Sequence, residues 1–258
     1  MSIIARLFFK KVIATNHGLD WKRSKWGFLA RSYLKFGEWV SARFTHTTIS
    51  VSNYIKEYYK EKYNKDIIYI PNGKETTNKI SLDFIKKYDL IHSQYILYVG
   101  RVTSEKNISF LCSAFNNLST KMKLVIVGGS QDDYLNELID KYKDNKKIVF
   151  TGPIYDRSEI AGLYSNAYLF VLPSDIEGQS IVLLEAFSYK CPVLVSDISE
   201  NSDLVKDFGH YFKIGDKLDL QCKLFDLITH PEKLKTNDPT EYLKQFDWNI
   251  HNNWFYRY

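Results

Sequence analysis

Residues 95–107 read Tyr-Ile-Leu-Tyr-Val-Gly-Arg-Val-Thr-Ser-Glu-Lys-Asn. The first five are apolar or aromatic without a break, and a glycine ends the run. From Asn107 onward Leu111, Ala114, Phe115 and Leu118 fall on one face of a helix. A short continuous apolar run, a glycine turn and then an amphipathic helix is the pattern of a strand buried on both faces followed by its crossover. The unit recurs. Further runs rich in β-branched and aromatic residues stand at 124–127, 148–150, 168–172, 193–195 and 211–214. Between them lie helical patterns marked by Tyr134, Leu135, Leu138 and Tyr142, by Leu183, Leu184 and Phe187, and by Leu220, Leu224, Leu227 and Ile228. Residues 91–237 are therefore expected to form one complete α/β Rossmann-like domain with a parallel sheet.

Residues 1–90 differ. Short strands are expected at 12–15, 48–51 and 67–70, the last closed by Pro71-Asn72-Gly73. A long helix over 26–44 carries Trp26, Leu29, Tyr33, Phe36, Val40 and Phe44 at near-helical spacing, and a Lys- and Tyr-rich helix opens at Asn53. Three strands do not close a doubly wound sheet, so this region reads as the later part of a second Rossmann-like domain whose beginning is absent. Residues 238–258 are expected to form an aromatic-rich C-terminal helix that packs back toward the N-terminal part.

The chain has 258 residues, and two complete doubly wound domains would need about 300 or more. Its net charge is +5. Residues 1–26 hold Arg6, Lys10, Lys11, Lys22, Arg23 and Lys25 against Asp20 alone, so the whole excess resides there. Such a patch suits phosphates, an anionic membrane surface or nucleic acid, or is a merely solvated surface. Cys112, Cys191 and Cys222 are scattered and odd in number, which argues against a disulfide framework or a zinc site and for a reducing, cytoplasmic setting. No apolar run approaches the ~20 residues of a membrane span.

In an open α/β sheet, ligands bind beyond the carboxyl ends of the strands. After the run at 95–99 comes Gly100-Arg101, with Lys106 five positions on. These two cations could grip a diphosphate. The alternative is a solvated turn with an Arg101–Glu105 ion pair. After the run at 168–172 comes Pro173-Ser-Asp-Ile-Glu177-Gly178-Gln179-Ser180, then a helix containing Glu185. Gly178 permits close backbone approach, and the free amides of Gln179, Ser180 and Ile181 form an anion site. Glu185 in an apolar helix needs a partner, such as a ribose diol, or is a surface residue. Asp132-Asp133 reads as a helix cap rather than a metal site.

The joint pattern Gly-Arg-x-x-x-Glu-Lys-Asn at 100–107 and Glu-Gly-x-x-x-x-x-x-Glu-Ala at 177–186 resembles glycosyltransferase family 4 of the GT-B fold. Ile70-Pro-Asn-Gly73, Val149-Phe-Thr-Gly-Pro153 and Cys191-Pro192 extend the likeness over most of residues 52–247. The resemblance implies a nucleotide-sugar donor site in 91–237. Gly100, Arg101 and Lys106 would hold the diphosphate, and Glu177 the sugar hydroxyls. Gly178, Gln179 and Ser180 would present amides, Glu185 would hold the ribose, and backbone near Ile154 would meet the base. A narrower stretch, Asn16-His17-Gly-Leu-Asp20-Trp21-Lys22-Arg23, resembles bacterial capsule and O-antigen transferases, several of them rhamnosyltransferases. There His17 would touch the donor sugar, and Asp20, Trp21 and Arg23 would face the acceptor or the cleft. The catalytic set implied is His17, Arg101, Lys106 and Glu177.

The activity implied is retaining transfer of a sugar, with rhamnose a candidate, from a nucleoside-diphosphate donor to a growing surface polysaccharide. No cofactor, metal or nucleic acid is expected. The acceptor implied is a lipid-linked glycan, with peripheral contact at the inner membrane face through the basic start and Phe8, Phe9, Trp21 and Trp26. The alternative is a truncated, inactive nucleotide-sugar-binding fragment or partner subunit.

Overall fold

A computed structural model describes residues 8, 10–23, 26–74 and 76–247. Arg6, Phe9 and Lys25 of the basic start, and residues 248–258, lie outside the described residues. The first part holds β1 (Ile13–Asn16), α1 (Phe28–Phe44), β2 (Thr47–Ser50), α2 (Asn53–Tyr63) and β3 (Ile68–Tyr69). These strands form a parallel sheet in the order β1-β2-β3. A short helix, α3 (Asp83–Lys87), stands on the way to the second part.

The second part alternates strand and helix. In order it holds β4 (Tyr95–Val99), α4 (Ile108–Asn116), β5 (Lys123–Val127), α5 (Tyr134–Tyr142), β6 (Ile148–Gly152), α6 (Arg157–Asn166) and β7 (Leu169–Leu172). There follow α7 (Ile181–Ser188), β8 (Val193–Ser196), α8 (Ser199–Val205), β9 (His210–Phe212) and α9 (Lys217–Thr229). All six strands are parallel, in the order β6-β5-β4-β7-β8-β9. The apolar runs became strands because both faces of the sheet are covered: the side chains of β4, β5, β7 and β8 are nearly all buried. Tyrosines tolerate this interior because their hydroxyls find carbonyls. Tyr95 donates to Leu163 O at 2.6 Å and Tyr98 to Arg101 O at 2.7 Å.

The long helix departs from its expected orientation. Its described span starts at Phe28, and the stripe of Leu29, Tyr33 and Phe36 faces solvent, at 82%, 75% and 54% exposure. The face turned inward is polar. Glu38 and Ala42 are buried, and Glu38 accepts hydrogen bonds from Trp21 Nε1, Tyr58 and Tyr63 hydroxyls and Lys62 Nζ at 2.6–2.9 Å. The physical reason is that α1 lies against α2 and the turn at 20–22, beside a sheet whose β1 edge pairs with no further strand among the described residues. Burial pushes the Glu38 pKa up, but the bonds from Tyr63, Lys62, Tyr58 and Trp21 outweigh it and hold the carboxyl below its ordinary 4.5.

The connection between the two sheets is pinned. Thr77 N donates to Tyr189 Oη at 3.0 Å, and Ser81 N to Ser158 O at 2.9 Å. The chain returns beside this crossing. Of the expected C-terminal helix, the described residues form a single turn, α10 (Thr240–Leu243), a 3-10 turn at Lys244–Phe246 and an extended Asp247. Phe246 is buried against Tyr242, and its carbonyl accepts from Lys74 N at 2.9 Å. That anchoring bends the backbone where a continuous helix would have run on.

Candidate functional site

The strand order reverses direction at β4. From it the chain builds outward to β5 and β6, then returns to lay β7 on its other side. The loops after β4 and β7 therefore diverge and open a crevice between them, the place where an open parallel sheet takes its ligand. Both motif loops leave the sheet there: 100–107 after β4, and 173–180 after β7.

Within the crevice Lys106 Nζ meets Glu177 Oε1 at 2.6 Å, with the side chains only 13% and 10% exposed. Arg101 is exposed at the mouth, its carbonyl fixed by Tyr98. The Gly100 carbonyl packs so tightly on Gly128 that a Cβ there would lie 1.8 Å from it, which keeps the bases of the β4 and β5 loops together. Asn107 Nδ2 donates to Pro173 O at 3.1 Å and to Asp175 Oδ1 at 2.5 Å, tying the two motif loops to each other. Gln179, Ser180 and Ile181 N–H groups find no acceptor among the described residues, and Ser180 makes no side-chain cap for α7. Two buried hydroxyls on these loops, Thr103 Oγ1 and Ser174 Oγ, have no partner among the described residues. Anion-seeking amides, a cation at the mouth and a buried Lys–Glu pair together form a polar cradle suited to a phosphate and hydroxyl ligand.

Three expected roles meet a different partner. Glu185, on α7, is buried and paired with Arg157 of α6 at 2.7 Å, so the charge foreseen for a ribose already has a cation. Ile154, expected near the base, is partly buried against the core of the larger sheet. Gln179 turns its side chain to Asn72 N at 2.5 Å. Glu105, foreseen with Arg101, instead binds Arg23 Nη1 at 2.6 Å across the two parts. No sequence signal singled out Arg157, because its pairing spans two helices 28 positions apart.

The loop after β1 closes the other side. His17 is exposed, and its carbonyl abuts Gly178 so closely that a Cβ at Gly178 would lie 1.9 Å from the oxygen. His17 and Glu177 are thus brought to the same edge of the cleft. Asp20 binds Arg23 Nε at 2.9 Å, and Trp21 spends its indole N–H on Glu38. Asp20, Trp21 and Arg23 thus all have partners within the protein, while Asp20 and Trp21 also line a cavity with His17. Further contacts join the two parts, with Asp203 of α8 accepting from Asn53 N at 3.0 Å at the start of α2. Asp132 accepts from Tyr134 N at 3.3 Å at the start of α5, and Asp133 makes no side-chain cap.

Comparison with known proteins agrees with this geometry. Residues 84–242 match the family model for glycosyl transferases group 1, and residues 4–75 match a domain of unknown function, DUF1972. The chain is 34% identical over 134 residues to O-antigen chain mannosyltransferase B of Escherichia coli, covering 50% of this chain and 35% of that protein. It is 27% identical over 224 residues to O-antigen chain mannosyltransferase RfbU of Salmonella typhimurium, covering 86% of this chain and 61% of that one. It thus spans less than two thirds of these relatives. The fold is similar to that of Anabaena Alr3699/HepE, solved in complex with UDP and glucose, with a TM-score of 0.82 and 17% identity over 99% of this chain and 73% of that one.

Proposed function

The chain belongs to the glycosyl transferases group 1 family and has the GT-B fold, and from that premise we propose that it moves a sugar from a nucleoside-diphosphate donor to a surface-polysaccharide acceptor. The observation that supports the reading is the crevice at the β4/β7 reversal, where the two motif loops face each other and Lys106 pairs with Glu177. In the proposed reaction the bond from the anomeric carbon to the diphosphate oxygen breaks. A bond from that carbon to the acceptor hydroxyl oxygen forms on the same face, with retention, and the hydroxyl proton passes to the departing diphosphate. Arg101, Lys106 and the amides at the start of α7 meet the negative charge as it grows, with no metal required. Glu177 accepts from the donor sugar's hydroxyls, and His17 touches that sugar from across the cleft. Glu185 holds the ribose while Arg157 balances its charge.

The finer reading is a rhamnosyl or other hexosyl transferase of family 4, in the cytoplasm, acting on a lipid-linked glycan at an anionic membrane surface. Among the described residues no helix is long and apolar enough to cross a membrane. Exposed Phe28, Leu29, Tyr33 and Phe36 beside Arg31 and Lys35 support contact with such a surface. Co-sedimentation with anionic but not neutral vesicles checks that step.

Calorimetry with UDP and the other nucleoside diphosphates tests the donor site. Arg101→Ala and Lys106→Ala together are expected to weaken binding about a hundredfold or more, at ~1.5–3 kcal/mol for each charge-assisted contact. Unchanged affinity refutes the assignment. Release of nucleoside diphosphate from a donor panel then separates turnover from binding alone.

A further inference from the structure

One contact between the two parts lands on a motif loop. Arg23 Nη1 donates to Glu105 Oε1 at 2.6 Å, with the side chains 22% and 8% exposed. Glu105 stands in the 3-10 turn Ser104–Lys106, one residue before Lys106. Neighbours in such a turn point about 120° apart. Lys106 therefore reaches Glu177 in the crevice, while Glu105 reaches out to the smaller part. The turn is also held to the loop after β7, since Asp175 N donates to the Glu105 carbonyl at 2.9 Å. Arg23 thus grips a piece of backbone that is fixed to the donor crevice.

On its own side Arg23 belongs to a loop braced from within. Gly18 N donates to Asn16 Oδ1 at 3.0 Å, Lys22 N to Leu19 O at 2.9 Å and Arg23 N to Asp20 O at 3.1 Å. Leu19 is buried, and Arg23 Nε holds Asp20 Oδ1 at 2.9 Å. With these bonds in place residues 16–23 shift as one piece, so a hold on Arg23 is a hold on His17. The carbonyl of His17 abuts Gly178, the neighbour of Glu177. Arg23 serves both sides because its planar fork offers Nε to Asp20 and Nη1 to Glu105 together. Bracing the loop alone would need only Asp20. The second bond, to a residue 82 positions away, serves the seam between the parts.

Resting on the transferase reading above, in which His17 meets the donor sugar, we propose that Arg23 is a positioning residue. Its bond to Glu105 docks residues 16–23 on the diphosphate loop and so sets His17 over the sugar. Arg23 itself touches neither nucleotide nor sugar. Its loss is felt by ligands that reach the smaller part and not by those that end at the diphosphate.

The test uses the full chain. Cys222 is exposed, and so is Glu61 on α2. Dyes on Cys222 and on Glu61→Cys report the placement of the two parts by energy transfer. Calorimetry is run on the same variants with UDP and UDP-glucose, GDP and GDP-mannose, and dTDP and dTDP-rhamnose. R23Q is expected to broaden the distance distribution and to leave the best-bound free diphosphate within about twofold, which also reports folding, while its sugar conjugate weakens by about fivefold or more. E105Q should do the same, and R23Q with E105Q should be no worse than either alone, because all three lose the same bond. Arg23→Lys keeps the charge without the fork and should fall between wild type and R23Q. The proposal is overturned by an unbroadened distribution or unchanged conjugate affinity in R23Q. It is overturned equally by additive losses in the double variant, or by equal weakening of diphosphate and conjugate, which would place the effect on Lys106. A wild type that binds a diphosphate but no conjugate more tightly removes the sugar contact of His17 and the proposal with it. Failure of all three free diphosphates to bind wild type overturns the donor reading instead, so the two failures are told apart.

Discussion

Gly18 and Gly178 face each other across the cleft, and the structure assigns them opposite tolerance. A Cβ at Gly178 would lie 1.9 Å from the His17 carbonyl oxygen, whereas one at Gly18 would rest at 3.6 Å from the nearest atom, Gly178 Cα. The first contact is roughly 1.5 Å short of ordinary van der Waals distance. Both partners are backbone, so no side chain can swing aside. Gly178→Ala must push the β1 loop off the β7 loop. Overpacking of this kind costs about 1–3 kcal/mol, and at ~2–4 °C per kcal/mol for a chain of this size the melting temperature falls by about 2–12 °C. Gly18→Ala should stay within about 0.5 kcal/mol of wild type. Calorimetric melting and amide hydrogen exchange over residues 16–19 read both effects, with exchange accelerated only in Gly178→Ala. Because a 1 Å misplacement can cost ~100-fold in rate, any transferase activity should fall about that much in Gly178→Ala and little in Gly18→Ala. If the two variants melt and exchange alike, the close backbone contact across the cleft is wrong.

Glu38→Gln removes a buried charge that four donors surround, and should cost about 2–4 kcal/mol, read by denaturant titration. Since the folded Glu38 pKa lies below 4.5, its contribution is present above that value and lost as pH falls through the folded pKa. The wild-type advantage over Glu38→Gln should therefore shrink on acidification below pH 4.5. Among the cysteines, burial pushes the Cys112 and Cys191 thiols up to about 12, and Cys222 is exposed. Iodoacetamide on the native protein near pH 8 should label Cys222 alone, as read by intact mass, and all three after unfolding.

The second sheet was legible because its strands are unbroken apolar runs such as Tyr95–Val99, and because loops after strands that flank a reversal must hold the ligand. Other features turn on neighbours that periodicity does not reveal. The spacing of Leu29, Tyr33 and Phe36 marks a stripe correctly, but only the packing of α1 shows that Glu38 and Ala42 face inward instead. Helix α6 carries little amphipathic pattern, since Ser158, Ile160, Ala161, Gly162, Leu163 and Tyr164 are all buried. Its Arg157 was invisible as the partner of Glu185, which stands 28 positions away on α7. Arg23 and Glu105 stand 82 positions apart, and neither residue's local sequence calls for the other.

The pinned crossing has a mechanical consequence. Beyond Thr77 the connecting segment is fastened to the larger part through Tyr189 and Ser158, and before Pro71 it belongs to β3. Between these anchors Asn72 N donates to Gln179 Oε1 and Lys74 N to Phe246 O, so the returning chain at Phe246 and Asp247 lies alongside the crossing. Two short spans side by side would act as an axle for any rotation of the smaller part. A few degrees of rotation there would separate Gly18 from Gly178 and Arg23 from Glu105 in a single stroke. Entry of a donor and departure of its diphosphate would then be governed from a pivot remote from the crevice itself.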